Sequence, residues 1–475
     1  MSTILRPKTN QVVTSKAIHS SSFRDPSGYV FTDNGVIKRV INPVYFDQYK
    51  QLKSSGFFKT LFKNELLVMH KELSASDDEI IIQPENIPFI TYPYEWCFNQ
   101  YKEAALLTLK LQKFCLEHQF SLKDASAFNI TFHNGKAIFI DTLSFDFYQE
   151  NTPWRAYKQF ITHFLGPLVL AHFHGSEMLK LSNNFLDGIP VKTIASLLPF
   201  KTKLNPFLYS NIHLLAKFED KHNEDYKGEA KAAELSKKGQ LNIIESLYNY
   251  IKKLELKEPS EWGEYYNKTN YTDDAFVLKS TIINQWVASL NTKTLIDVGG
   301  NDGTFVRRIA ATLQHALVCD IDNNAVDFNY KQIKKNKETY ITPFVLDVLN
   351  PSAAIGFNNQ ERQSFIERIA AFKPDVTLAL AVIHHMSLSG NVPFKNSAAF
   401  FASFSKHLII EFPERDDSWV QRLLKSKGEF ESYFDFYNLD NFIASYSSYY
   451  TIVEQKNIEG SKRTLFLLKR KDEYN

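Results

Sequence analysis

The chain is poor in the features that mark several large protein classes. Its 475 residues include only three cysteines, Cys97, Cys115 and Cys319. They are widely spaced, with no Cys-x-x-Cys pair, which argues against a disulfide framework and against structural zinc. No apolar run reaches the ~20 residues that span a bilayer. The longest apolar region, Phe160 to Phe173, is interrupted by His163, Pro167 and His172. The opening Met1-Ser-Thr-Ile-Leu-Arg-Pro-Lys8 lacks the apolar core of a secretory signal. The expectation is a cytoplasmic protein without membrane insertion. Net charge is +2, with no long basic run, so electrostatics predicts no nucleic-acid partner. Oligomeric state is not legible.

What is present is apolar: 44% hydrophobic residues and 39 phenylalanines, enough for two or three cores at ~150 residues per domain. The most informative stretch is Thr294-Leu-Ile-Asp-Val-Gly-Gly-Asn-Asp-Gly-Thr304. Leu295, Ile296 and Val298 suit a buried parallel strand. Gly299, Gly300, Asn301 and Gly303 make a tight turn that something can approach closely. Thr304 is the expected N-cap of a helix carrying Phe305, Val306, Ile309 and Ala310. Strand, glycine turn and helix open a nucleotide-type site in a doubly wound sheet.

Charge selects the ligand. Phosphates favour bare amides, glycine or lysine at such a turn. This one carries Asp297 and Asp302 and no lysine. Like charges ~4 Å apart cost roughly 4 kcal/mol at an effective dielectric of 20, so a pyrophosphate is disfavoured. A phosphate-free ligand with an ammonium and a sulfonium reverses the sign. Asn301 and Thr304 also stand where G-x-G-x-x-G has glycines, which counts against NAD.

The pattern Asp297-x-Gly299-x-Asn301-x-Gly303 resembles motif I of class I S-adenosylmethionine-dependent methyltransferases. Asparagine replaces the middle glycine, and it tolerates positive φ. Four further runs follow in the family's order. Ala316 to Asp320 ends in an acid 21 residues after Gly299. By resemblance Asp320 holds the ribose hydroxyls, with Asp322 as fallback and Ile321 alongside. Tyr340 to Asp347 is the third strand, and Asp347 and Val348 are expected near adenine. Asp375 to Val382 is the fourth, with Ala381 at the cofactor, leading into His384 and His385. His407 to Phe412 is the fifth. Tyr449 to Val453 and Thr464 to Leu468 suggest an antiparallel pair. The expectation over residues 259–475 is an α/β, Rossmann-like sheet of seven strands in the order 3-2-1-4-5-7-6. S-adenosylmethionine is the expected cofactor, contacted by Asp297, Gly299, Gly300, Asn301, Gly303, Asp320, Ile321, Asp347, Val348 and Ala381. Tyr265, Tyr266 and Tyr271 are lid candidates, Tyr266 foremost; simple core packing explains them equally well.

Methyl transfer to a hydroxyl benefits from a base near neutral pH, and His384 or His385 stands where the acceptor belongs. Glu411 and Asp417 are alternative acceptor-pocket groups. No Asn/Asp-Pro-Pro-aromatic tetrapeptide follows strand four. That tilts the expectation toward an oxygen on a small molecule or saccharide.

Residues 1–217 read as an α+β domain. A hairpin is expected at Gly28–Phe31 and Val36–Ile41 around Asn34-Gly35, then mixed helical segments to about residue 75. A helix is expected from Asn99 to about Glu117. Leu122-Lys-Asp124-Ala-Ser-Ala-Phe-Asn129 is followed by a hairpin at Asn134-Gly135 and a strand ending in Asp141. The spacing resembles the catalytic segment of protein-kinase-like phosphotransferases, D-x-x-x-x-N and a later metal-binding Asp. By that likeness Asp124 would handle the acceptor proton, and Asn129 and Asp141 would hold magnesium only if the domain is active. Leu122-Lys123 replaces His-Arg, Asp141-Thr-Leu143 lacks the following glycine, and no Gly-rich phosphate loop is found. Lys38 is a weak candidate for the phosphate-pairing lysine. A kinase-shaped domain without phosphotransfer is the favoured alternative of the two; otherwise no metal is expected. Thr152-Pro153 predicts a helix start, and residues 218–258 read as a charged linker with a helix from about Asn242 to Leu254.

The Tyr92-Pro-Tyr-Glu-Trp96 segment, Leu122 to Ser126, and Glu411-Phe412 with Asp417 together resemble a nodulation-protein-like group of bacterial class I methyltransferases. The likeness runs over most of the chain and implies methyl transfer without naming an acceptor. A non-catalytic, cofactor-binding scaffold is the remaining alternative.

Overall fold

Two positive-φ residues, Asn34 (50°) and Gly35 (79°), turn the chain back on itself and start the first sheet. The computed structural model describes residues 17–218, 234–257, 273–309 and 313–474. Five antiparallel strands stand in the order β1-β2-β3-β5-β4: β1 (Ala17–Ile18), β2 (Gly28–Asp33), β3 (Val36–Ile41), β4 (His70–Ala75) and β5 (Ile80–Pro84). Between β3 and β4 lie α1 (Phe46–Ser54) and α2 (Phe57–Lys63). Strand β4 corrects the expectation of helical segments up to residue 75. Its less exposed residues, His70 and Glu72, are polar and Leu73 is exposed, so the segment lacks the apolar alternation that announces a strand.

The long helix α3 (Phe98–Glu117) is started by a capping box, in which Gln100 Oε1 accepts the Cys97 amide at 3.1 Å. Two small hairpin-like pairs follow, β6 (Phe120–Leu122) with β9 (Phe145–Phe147), and β7 (Ile130–His133) with β8 (Lys136–Phe139). Thr152-Pro153 does not start a helix. The Trp154 indole donates to Leu122 O at 2.9 Å and holds this stretch against β6, so the chain becomes helical only at Tyr157. From there it runs through a π turn into α4 (Gly166–His174), and α5 (Lys237–Lys253) packs against α3.

The C-terminal half alternates strand and helix: α6 (Asp273–Ser289), β10 (Thr294–Val298), α7 (Thr304–Arg308), β11 (His315–Asp320), α8 (Asn323–Asn336), β12 (Ile341–Val345), α9 (Phe365–Phe372), β13 (Val376–Ala379), α10 (Phe394–Ala402), β14 (His407–Pro413), α11 (Ser418–Lys425), α12 (Leu439–Tyr446), β15 (Tyr450–Asn457) and β16 (Arg463–Arg470). The seven strands lie in the order β12-β11-β10-β13-β14-β16-β15. Counted from β10, that is 3-2-1-4-5-7-6. Strands β10 to β14 are mutually parallel, and β16 runs antiparallel to both its neighbours. One apolar cluster covers each face of the sheet, as parallel strands require. The order reverses between β10 and β13, and the crevice at that switch point is where such sheets bind ligands.

The two halves share buried contacts. Glu95 of the Tyr92–Trp96 segment receives the Arg368 guanidinium of α9, with Nη1 donating to Oε2 at 2.9 Å; the two side chains are 3% and 4% exposed. Ser352 Oγ donates to the same carboxylate at 2.7 Å, and the Arg368 guanidinium lies 4.5 Å from the Tyr92 ring centre. Asp327 takes both the amide and the side chain of Asn99. A charge pair this deep survives only with its remaining hydrogen bonds met, so this junction sets one arrangement of the halves. Among the described residues, no helix is long and apolar enough to cross a membrane.

Candidate functional site

At the C-terminal ends of β10, β11 and β13 the backbone leaves a cavity of about 290 Å³. Its floor is the turn after Val298. Gly299 has φ 72°, and a Cβ there would stand 2.6 Å from Val382 Cγ2 across the cavity wall. Asn301 takes φ 48°, the conformation expected of an asparagine in a glycine's place. The amides of Gly299 and Gly300 both donate to Cys319 O, at 2.9 and 3.0 Å, tying the turn to β11. Gly303 (φ 77°), rather than Thr304, is the N-cap of α7. The Thr304 amide instead donates to Asp302 Oδ1 at 3.0 Å, and the helix ends at Arg308, short of the expected run.

Asp297, Gly299, Gly300, Asn301, Asp320, Ile321, Asp347, Val348, Ala381 and His385 all line this cavity. Gly303 does not; it closes the turn from behind, against Arg307 and Asn329. Nor does His384, which is 2% exposed, its Nδ1 without a hydrogen-bond partner among the described residues. The expected pair of histidines is therefore split: one on the wall, one in the core. Asp322 caps α8 instead, accepting the Asn324 amide at 2.8 Å. Tyr265, Tyr266 and Tyr271 lie outside the described residues.

Electrostatics distinguishes the acids. Asp297 is 1% exposed, and among the described residues neither carboxylate oxygen has a hydrogen-bond partner. Burial pushes its pKa up to about 8. Lys279 opposes that rise, and the charges of Asp320 and Asp302 add to it. Asp320 accepts the Asn301 amide on Oδ2 and the Asp322 amide on Oδ1, each at 3.0 Å. Burial outweighs those donors and lifts its pKa to about 6. Burial, then Arg463, lowers the His385 pKa, so its imidazole is neutral at pH 7. His384 is lowered further, by burial and by the charges of His385, Arg463 and Lys279.

Behind the cavity lies a buried ionic chain. Lys279 Nζ is 3.0 Å from Glu411, the Arg463 guanidinium is 3.4 Å from Glu411, and Arg463 Nε donates to Asp417 at 2.9 Å. Glu411 and Asp417 are thus bound to cations in the core and do not line the cavity. Sequence reasoning missed Lys279, Phe276 and Phe305, which complete the wall. The available signal was a lone lysine at position 279, on the buried face of α6. Two backbone features mark the wall beyond β13: Ala381 has φ 55°, costly for alanine, and a π turn spans His385–Ser389. Both kinds of distortion concentrate at functional sites.

A second cavity, about 790 Å³, opens in the N-terminal half, and Asp124, Asn129 and Asp141 all line it. Asp141 is already paired. Arg39 lies 2.5 Å from Oδ1, the Leu143 amide bonds to the same oxygen, and the Ser144 hydroxyl donates to Oδ2. Lys38 lines the cavity but is held by Asp33 at 2.7 Å. Among the described residues, no group of three or more His, Cys, Asp or Glu side chains is placed to hold a metal.

No protein-family model matches the chain. It is 30% identical over 466 residues to the nodulation protein NoeA of Rhizobium meliloti (strain 1021), covering 95% of this chain and 96% of that one. Among solved structures, it is similar to the N-methyltransferase NodS of Bradyrhizobium japonicum WM9 (12% identity, 42% of this chain and 99% of that one, TM-score 0.31). It is also similar to the magnesium protoporphyrin IX methyltransferase ChlM of Synechocystis PCC 6803 with bound SAH (14%, 44% and 93%, TM-score 0.31).

Proposed function

The chain belongs to the family of the nodulation protein NoeA, and we propose that it is an S-adenosylmethionine-dependent methyltransferase. The observation that carries the reading is Asp297, a carboxyl buried at the end of β10 beside a glycine turn, with no hydrogen-bond partner for either oxygen among the described residues. A cationic ligand supplies the partner it lacks; a phosphate would worsen the repulsion. In this reading Asp297 takes the ammonium, Asn301 and Asp320 face the ribose, and Asp347 and Val348 stand near adenine. The cofactor supplies an electrophilic methyl group.

This chain's task is then orientation and exclusion of water, the larger part of the acceleration in such a displacement. His385, neutral at pH 7 and on the wall, is the group placed to take a proton from a hydroxyl acceptor on a small molecule or saccharide. His384 supports it from the core, where the two rings lie 4.2 Å apart. The reading is tested by calorimetry with S-adenosylhomocysteine, followed by transfer of labelled methyl to a cell extract. Absence of binding ends it. His385→Ala is expected to slow transfer about a hundredfold with donor affinity unchanged; an equal loss in both would remove the base role.

A further inference from the structure

The 790 Å³ cavity shares no lining residue with the donor pocket, and its wall is built from both halves. Most of its cations already have carboxylates: Arg39 pairs with Asp141, Arg368 with Glu95 and Arg24 with Glu361. Arg362 is the exception from the C-terminal half. Among the described residues, no carboxylate stands within ion-pair distance of it. Its guanidinium lies 4.6 Å from the Phe128 ring centre, and its Nε is buried without a partner. Its backbone is clamped by a two-way bridge to Ile355 (3.0 and 3.1 Å), and the next amide donates to the Tyr92 hydroxyl, so the side chain is presented from a fixed base. Lys123 and Arg155, from the N-terminal half, also line it with no carboxylate in ion-pair distance among the described residues; Lys123 Nζ donates to Ser27 Oγ at 2.9 Å.

We propose that this interdomain cavity is a second ligand site, that it takes a sugar monophosphate, free or as a nucleoside monophosphate, and that Arg362 holds the phosphate. Arg362 Nη1 donates to Glu361 O at 2.8 Å, which leaves the Nε and Nη2 donors for an oxyanion. The rest of the wall limits the charge of the ligand. Asp124, Glu85 and Asp187 are carboxylates on the same surface, which suits one phosphate with several hydroxyls and disfavours a polyphosphate. Asp124 accepts from the Ser126 amide (2.9 Å) and from Gln159 (2.7 Å) through Oδ1, with Asn129 beside it. That acid–amide pair is the natural acceptor and donor for neighbouring hydroxyls. No phosphoryl transfer is required, and the proposal stands or falls separately from methyl transfer.

The test is calorimetry on the full chain with glucose 1-phosphate, ribose 5-phosphate and AMP, and with magnesium-ATP as the contrast. At least one monophosphate is expected to bind one to one with EDTA present. Binding of AMP alone identifies the nucleotide as the source; binding of the free sugar phosphates identifies the other. Arg362→Gln is expected to weaken that binding roughly tenfold to a hundredfold, and Arg362→Lys by less. Asp124→Asn is expected to weaken the sugar phosphates while leaving inorganic phosphate unaffected. Circular dichroism and thermal unfolding, measured in parallel, check that each variant is folded. Failure of all three monophosphates to bind, binding of magnesium-ATP alone, or affinity indifferent to Arg362→Gln overturns the proposal.

Discussion

Asp297 and Asp141 are both aspartates at strand ends, each facing a cavity, and their environments drive them in opposite directions. Among the described residues the Asp297 carboxylate has no hydrogen-bond partner, and burial lifts its pKa to about 8. At Asp141 burial pushes the same way, but Arg39 and the Ser144 hydroxyl prevail and hold it below the usual carboxylate range. The difference is whether the cation is part of the chain. Asp141 carries its partner permanently and contributes to stability. Asp297 is left short of one, which costs stability and, in the proposed reading, leaves a place for a cationic ligand.

Removing the partner from Asp141 is the strongest way to break the contrast. Arg39→Ala is expected to cost about 3 kcal/mol in urea denaturation at pH 7, near the low end for a desolvated pair because both side chains retain some exposure (13% and 16%). A depressed folded-state pKa stabilises above the unfolded value of 3.8 and loses that contribution as pH falls through the folded one. The gap between wild type and variant should therefore close on acidification below about pH 4.

The converse change makes Asp297 neutral. Its folded pKa of about 8 lies above the unfolded 3.8, so its cost is absent below pH 4, grows between pH 4 and 8, and is complete above. Asp297→Asn should stabilise the ligand-free protein at pH 8, with the advantage vanishing toward pH 4. The same variant should lose S-adenosylhomocysteine affinity. A variant that is less stable at pH 8 would mean that Asp297 already has a partner.

Asp320 lies between the two cases, lifted by burial but held by two amides. Asp320→Ala should weaken S-adenosylhomocysteine about tenfold to a hundredfold in calorimetry. The smallest expected signal is a fraction of a proton. At pH 7 ligand binding should ionise Asp297 and release that proton, read as a dependence of the binding enthalpy on the buffer's ionisation enthalpy.

How much of this was legible depended on whether the information was local. The Asn34-Gly35 hairpin, the strand starting at Thr294 and the acid-tipped strand after it were readable because turn chemistry and apolar runs act over a few residues. Strand β4 was not, because His70–Ala75 lacks apolar alternation and becomes a strand only by pairing with β5. The split between His384 and His385 was invisible for the same kind of reason. Adjacent residues look equivalent until the chain bends into a π turn and turns one ring to the wall and the other to the core.

The sequence by itself determined the parallel α/β sheet, the glycine turn and the acids that line it, since periodicity, positive φ and charge are properties of short segments. Only the tertiary structure decided which carboxylates are paired. Arg39 for Asp141, Lys279 and Arg463 for Glu411, and Arg368 for Glu95 all come from distant parts of the chain. A buried charge takes its character from its neighbours in space, and those neighbours are assigned by folding.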